Sequence, residues 1–255
     1  MRPDRKAIAL WLLVAALAGL TWALLPRIPQ PLQYHDFADR STCFGLTGCA
    51  DTLSNALFAL AGLAGLRFLS GAAGRRVFID AREALPYRLF FIAAVLVALG
   101  SGYYHLAPDN DRLVWDRAAI SLALMSLFAA ILCERVSVSS GLHLLPMLYA
   151  AGLGSVAWWN WSETHGLGDL RAYGLMQFYP MLLIPLLLRL YPPRYSGDRD
   201  ILIVIGLYLL ALLCDLTDHR IAELTGLFSG HTAKHVVAAL AIYWVVIRLK
   251  QRRIL

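Results

Sequence analysis

Apolar residues fall in eight blocks along the chain, roughly 7–25, 52–71, 86–105, 115–134, 141–161, 172–191, 201–217 and 229–249. Each is close to the ~20 residues that cross a hydrocarbon core of about 30 Å as a helix. None alternates polar and apolar with period two, so the pattern excludes an outer-membrane barrel and predicts helices. The expected fold class is therefore an all-α polytopic membrane protein with eight spans. The first block follows Arg2, Arg5 and Lys6, as the apolar part of a signal peptide would. It is long, however, and the following L-P-R-I-P-Q-P-L has no small-x-small cleavage site, so a retained anchor is expected.

Composition agrees with this and adds an orientation. The 255 residues are 59% hydrophobic and 16% charged, against about 25% charged in soluble domains. The net charge of +6 does not indicate nucleic-acid binding, because the basic residues follow the loops. Sixteen of the 23 lysines and arginines fall on one side of the expected membrane; Arg27, Arg40, Arg112, Arg117, Arg171, Arg220 and Lys234 fall on the other. That positive-inside pattern predicts cytoplasmic termini. Cys43 and Cys49 share the first exterior loop and either pair or stay as thiols; Cys133 and Cys214 read as packing residues.

Polar residues inside or at the mouths of the blocks carry the candidate chemistry. His231 and His235, in S-G-H-T-A-K-H (229–235), are four apart and share one helix face, a spacing at which two imidazoles can hold one metal. Ser54 and Asn55 open the second span, Ser101 and His105 close the third, and Asp116 opens the fourth. All lie at the expected exterior ends, where polar groups are costly and mark function. Each also has a plainer explanation. Ser54 can bond backbone, His105 can be interfacial, and Asp116 suits a helix N-terminus. His35, Asp36, Asp39 and Asp51 in the loop 34–55 could bind a cation, but capping and solvated polarity explain them better. W-W-N-W (158–161) reads as an interfacial aromatic belt and Pro180 as a kink or widening; His143 and His165 carry no assigned role. Asp215, Asp218 and His219 end the seventh span, with Asp215 expected to be the most buried and a supporter of a metal ligand.

Taken together, three neutral imidazoles leave the fourth tetrahedral position of a zinc ion open, as in catalytic rather than structural sites. A nearby carboxylate can then handle the proton of an activated water, and a hydroxyl can donate to a developing oxyanion.

The order Ser, His, Asp, then a late H-x-x-x-H resembles the alkaline ceramidase family, part of a membrane hydrolase superfamily that includes the adiponectin receptors. The matching pieces are D-T-L-S-N (51–55), G-S-G-Y-Y-H (100–105) with Asp116 eleven residues later, and S-G-H-T-A-K-H. The resemblance covers the second to eighth spans. It implies a seven-helix hydrolase core over 31–255, with residues 1–30 adding a basic start and one extra helix. It implies Zn2+ on His105, His231 and His235, Asp116 as the proton-handling group, Ser101 beside the reacting water, and Ser54 as the motif serine of the first core helix. The activity implied is hydrolysis of the amide bond of a ceramide-like or other N-acyl lipid, by a bacterial-type member in the cell (inner) membrane. Two departures matter. Y-H-D-F-A-D-R (34–40) does not reproduce the calcium ligands of the eukaryotic ceramidases, and T-A-K replaces the tryptophan often found between the paired histidines. The alternatives are a receptor or sensor with a structural zinc, a zinc-dependent lipid esterase, and a transporter. The last would need mid-span charges and paired broken helices, which the chain does not clearly show.

Overall fold

The computed structural model describes residues 5–255, so Arg2 of the basic start lies outside the described residues. It is almost wholly helical. After α1 (Arg5–Leu24), a loop with one short 3-10 turn and a two-stranded hairpin, β1 (Thr42–Cys43) and β2 (Leu46–Thr47), leads to α2 (Cys49–Ser54) and α3 (Ala56–Ser70), which are interrupted only at Asn55. Then come α4 (Ala72–Arg76), α5 (Ala84–Leu106), α6 (Asn110–Arg135), α7 (Val138–Thr164), α8 (Arg171–Leu190), α9 (Asp198–Leu216), α10 (Asp218–Thr225) and α11 (Gly230–Gln251).

Among the described residues, six helical stretches are long and apolar enough to cross a membrane. The α9–α10 pair makes a seventh if its 78° bend is counted within one span. The chain is thus an all-α, multi-pass membrane protein, with leucines such as Leu60, Leu99 and Leu202 exposed where lipid would lie. The seventh block does not simply run out into solvent: it breaks at Thr217, and α10 folds back across the end of the bundle. Pro180 and Pro185 sit inside α8, which remains helical through both. The apolar part of α1, Ile8–Leu24, is shorter than the six, and this helix lies against α8, where the Tyr179 hydroxyl donates to the Val14 carbonyl.

The helices α3, α5, α6, α8, α9 and α11 form a ring in which each packs on the next, while α7 lies outside against α6 and α8. The join between α8 and α9 is the loosest, bridged by a hydrogen bond from Gln177 Nε2 to the Tyr208 hydroxyl at 2.8 Å. Two glycines set the approach of helices that carry polar residues. A Cβ at Gly100 would lie 2.6 Å from the Trp115 carbonyl oxygen, so α5 touches the backbone of α6 just before Asp116. A Cβ at Gly230 would lie 2.3 Å from the Cys214 carbonyl oxygen, so α11 begins in contact with the end of α9.

Packing decides several positions that the sequence leaves open and alters one. Trp158 and Trp161 are exposed, as belt residues would be, but Trp159 is wholly buried. Cys43 and Cys49 form a disulfide, closing the hairpin onto α2. The four polar residues of the loop 34–55 do not converge on a cation. His35 meets the Tyr104 hydroxyl and Asn110, Asp36 pairs with Arg40, and Asp39 accepts the backbone N–H groups of Ser41 and Asp51. Burial of Asp39 would raise its pKa, but the hydrogen bonds from Ser41, Asp51 and Ala50 outweigh it and hold the carboxyl below the usual range.

Candidate metal centre

The three histidines come together. His105 at the end of α5 and His231 and His235 on the first turns of α11 are all buried, with one nitrogen of each within 4.8 Å of the others. Local sequence explains the placement. Ser229 caps α11, its hydroxyl accepting the Thr232 N–H at 2.8 Å. That fixes the helix start, so His231 and His235 fall one turn apart on the face toward α5. Asp51 ties the same cap to α2, its Oδ1 accepting from the Ser229 hydroxyl (2.8 Å) and the Thr232 hydroxyl (2.5 Å).

Outer partners decide which ring nitrogens face inward. The Asp215 carboxylate, 2.6 Å from His231 Nδ1, can only accept, so Nδ1 carries the proton and Nε2 is left as a lone pair. The Ser54 hydroxyl donates to the Asp51 carbonyl at 3.0 Å and therefore accepts from His235 Nδ1 at 2.8 Å. His105 Nε2 faces His231 Nε2 at 3.0 Å. Three Nε2 atoms thus converge, two of them oriented by partners of the kind that set tautomer and ring direction in metal sites. This donor set suits zinc.

Asp218 holds the site from behind. Its carboxylate accepts the His231 N–H and the Ala38 N–H, both at 2.8 Å, joining the long first loop to α11. It is also more buried than Asp215, contrary to the expectation from the sequence pattern. The reason is the α9–α10 bend, which turns Asp218 back into the protein. Phe37 on the same loop covers the histidines, its ring centroid 4.2 Å from that of His231 and 4.8 Å from that of His105. Neither Phe37 nor the backbone-holding role of Asp218 has a sequence signal, because both arise from a loop folding over a helix end.

His235 also lines a cavity of about 630 Å³ inside the helix ring, together with Ser101, Asp116, Asp215, Lys234, Arg117 and Tyr34. The rest of the wall is mostly apolar, including Phe90, Val97, Leu124, Leu127, Met181, Leu209 and Leu213. Asp116 is buried, and its Oδ1 has no hydrogen-bond partner among the described residues. Lys234, where the resemblance leads one to expect tryptophan nearby, pairs with Asp215 at 3.2 Å. Ser54, by contrast, stands behind His235 rather than in the cavity wall. The arrangement offers a metal-binding set, a free carboxylate oxygen and a hydroxyl at the polar end of an apolar chamber. No family model, curated protein or solved structure matches the chain.

Proposed function

We propose that the chain is a zinc-dependent intramembrane hydrolase that cleaves the amide bond of a ceramide-like or other N-acyl lipid. The observation that carries this is the convergence of three buried histidines, two of them oriented by outer partners, with His235 also lining an apolar cavity about 630 Å³ in volume. A closed structural site would need neither the cavity nor the partner-free carboxylate oxygen of Asp116. The proposed frame is a seven-helix core over 31–255 with one further helix in 1–30. That makes eight spans, both termini cytoplasmic, and the metal end facing outward from a bacterial inner membrane. The basic-residue asymmetry supports that orientation.

His105, His231 and His235 would hold the metal. When bound, zinc supplies a Lewis acid and lowers the pKa of a coordinated water toward 7. Asp116 takes a proton from the attacking water and returns it to the amide nitrogen as the C–N bond breaks, giving a fatty acid and an amine. Ser101, on the same wall, donates to the oxygen of the carbonyl as charge develops there. The apolar wall receives the acyl chain, and the loose α8–α9 join gives a lipid a lateral way in. Phe37 excludes bulk water from the histidine face.

The test is metal content and fatty-acid release on the same purified samples. One zinc per chain and release from an N-acyl lipid are expected, with both lost in the double variant His231→Ala, His235→Ala. Full zinc content in that variant would refute the ligand assignment. A metal-loaded wild type that releases no fatty acid from any N-acyl lipid would favour the receptor alternative, and activity on esters alone would favour the esterase.

A further inference from the structure

Arg117 follows Asp116 on α6, lines the same cavity, and is 5% exposed. Its guanidinium lies among aromatic rings, with centroid distances of 4.0 Å to Trp159, 4.8 Å to Tyr173 and 5.5 Å to Tyr34. Burial raises the Tyr34 pKa above its ordinary value, so this ring is neutral and supplies no counter-charge. Nη2 donates to Gln30 Oε1 at 2.5 Å. Among the described residues, Nη1 has no hydrogen-bond partner, and no carboxylate forms an ion pair with this arginine.

The other buried arginines show that this is not how the chain treats a structural guanidinium. Arg248 and Arg252 share Glu134, and Arg135 pairs with Asp198. Arg252 is the closest parallel, since it too lies over three aromatic rings, at 4.4 Å from Phe78, 5.7 Å from Tyr87 and 4.1 Å from Tyr195. It nevertheless has a carboxylate. Aromatic packing is therefore accompanied by a counter-charge wherever the arginine belongs to the closed interior. Arg117 makes no ion pair, the neighbouring Asp116 carboxylate acting on it only through space, and it is the member of this group that lines the cavity. A buried guanidinium with one nitrogen unbonded and no ion pair is costly, and the guanidinium fork matches oxyanions.

We infer that Arg117 anchors the head group of the substrate, and that the lipid hydrolysed here carries an oxyanion, such as a sulfonate, phosphate or carboxylate, on the amine side of its amide. This rests on the N-acyl lipid reading above. The acyl chain lies along the apolar wall, while the charged head lies against Nη1.

The experiment compares N-palmitoyltaurine with N-palmitoylethanolamine, which share an acyl chain and a two-carbon spacer and differ in sulfonate against hydroxyl. Binding to the purified full chain in neutral detergent is read by tryptophan fluorescence, and fatty-acid release is read separately. The wild type should bind the sulfonate roughly 10- to 100-fold more tightly, the range for a hydrogen bond to a charged group. Arg117→Met should bring the two lipids to parity with zinc content unchanged, and Arg117→Lys should keep part of the preference. Equal binding of the two lipids by the wild type overturns the inference, even if Arg117→Met fails to fold. So does inorganic sulfate if it occupies the site as well as the lipid does, since the ligand would then be a free anion. An Arg117-dependent preference with no fatty acid released keeps the head-group assignment and removes the hydrolase. Release from both lipids without preference does the reverse.

Discussion

The two ends of the helix ring treat buried charge in opposite ways. At the end away from the histidines, Glu134 is almost completely buried and receives Arg248 at 2.6 Å, Tyr87 at 2.7 Å and Arg252. Glu83 beside it accepts from Tyr195 and pairs with Arg194 at 3.0 Å. Glu83 Oε1 and one guanidinium nitrogen of Arg252 are without a hydrogen bond there, but their charges are matched by Arg194 and Glu134. At the histidine end Asp116 Oδ1, Asp51 Oδ2 and Arg117 Nη1 have no hydrogen-bond partner among the described residues. Both ends bear the cost of taking charge out of water. The end away from the histidines recovers that cost through ion pairs; the histidine end does so at Asp215, which pairs with Lys234, but not at Asp116 Oδ1 or Arg117 Nη1, and there a ligand has something to offer.

Two substitutions should separate these roles. Asp116→Asn is nearly isosteric, and its Oδ1 has no protein partner to lose. It should fold and hold zinc as the wild type does, while fatty-acid release falls by roughly 10²–10⁴-fold. Undiminished turnover would remove Asp116 as the proton carrier. Glu134→Gln should do the converse. Two arginines lose their shared carboxylate, and removing one partner of a buried ion pair costs about 3–5 kcal/mol. Thermal unfolding in detergent should report that loss, while zinc per folded chain and turnover per folded chain stay unchanged. If turnover fell and the melting temperature did not, the distinction between the ends would fail.

Much of the site could be read from the sequence because its residues break a strong pattern. His231, His235, His105 and Asp116 stand out against apolar blocks, and helical spacing puts the paired histidines on one face. The positions at block ends also told which side they share. What could not be read depends on chain path. The block 201–217 does not reveal that α10 folds back at 78°, so the seating of the His231 N–H on Asp218 was invisible. Phe37 is one aromatic residue in a polar loop, and nothing marks it as the cover of the histidines. W-W-N-W suggested a belt, but on a helix its second residue turns inward, and Trp159 becomes the platform for Arg117. In the sequence Arg117 is one of the basic residues of the exterior side. The sequence shows a charge and cannot show that the charge lacks an ion pair. The same holds in reverse for Arg135, Arg194, Arg248 and Arg252, which entered the asymmetry as loop charges but are joined to acids in the structure.

The smallest expected effect concerns an ion pair at the histidine end that is closed. Asp169 lies between α7 and α8, and its carboxylate accepts from Arg171 Nε and Nη2, both at 2.8 Å. Arg171 Nη1 in turn donates to the Leu25 carbonyl at 2.9 Å, so the pair pins the end of α1 to the start of α8. Hydrogen bonding from Arg171 is the main cause that holds the Asp169 carboxyl below the usual carboxylate range, against the opposing effect of burial. A carboxyl whose pKa is depressed on folding adds stability that is present above its unfolded value of about 3.9. That stability is lost as pH falls through the folded value. Asp169→Asn removes this linkage, and Asp36, Asp39 and Asp80, also depressed, titrate alike in both proteins and cancel from the difference. The gap in melting temperature between wild type and variant should therefore be a few degrees near pH 6, the size of an ion pair worth about 1 kcal/mol. It should close as pH is lowered below 3.9, with lipid turnover at neutral pH unaffected. A gap that widened on acidification would mean that Asp169 is stabilised by its protonated form, and that this pair does not belong with the closed ones at the opposite end.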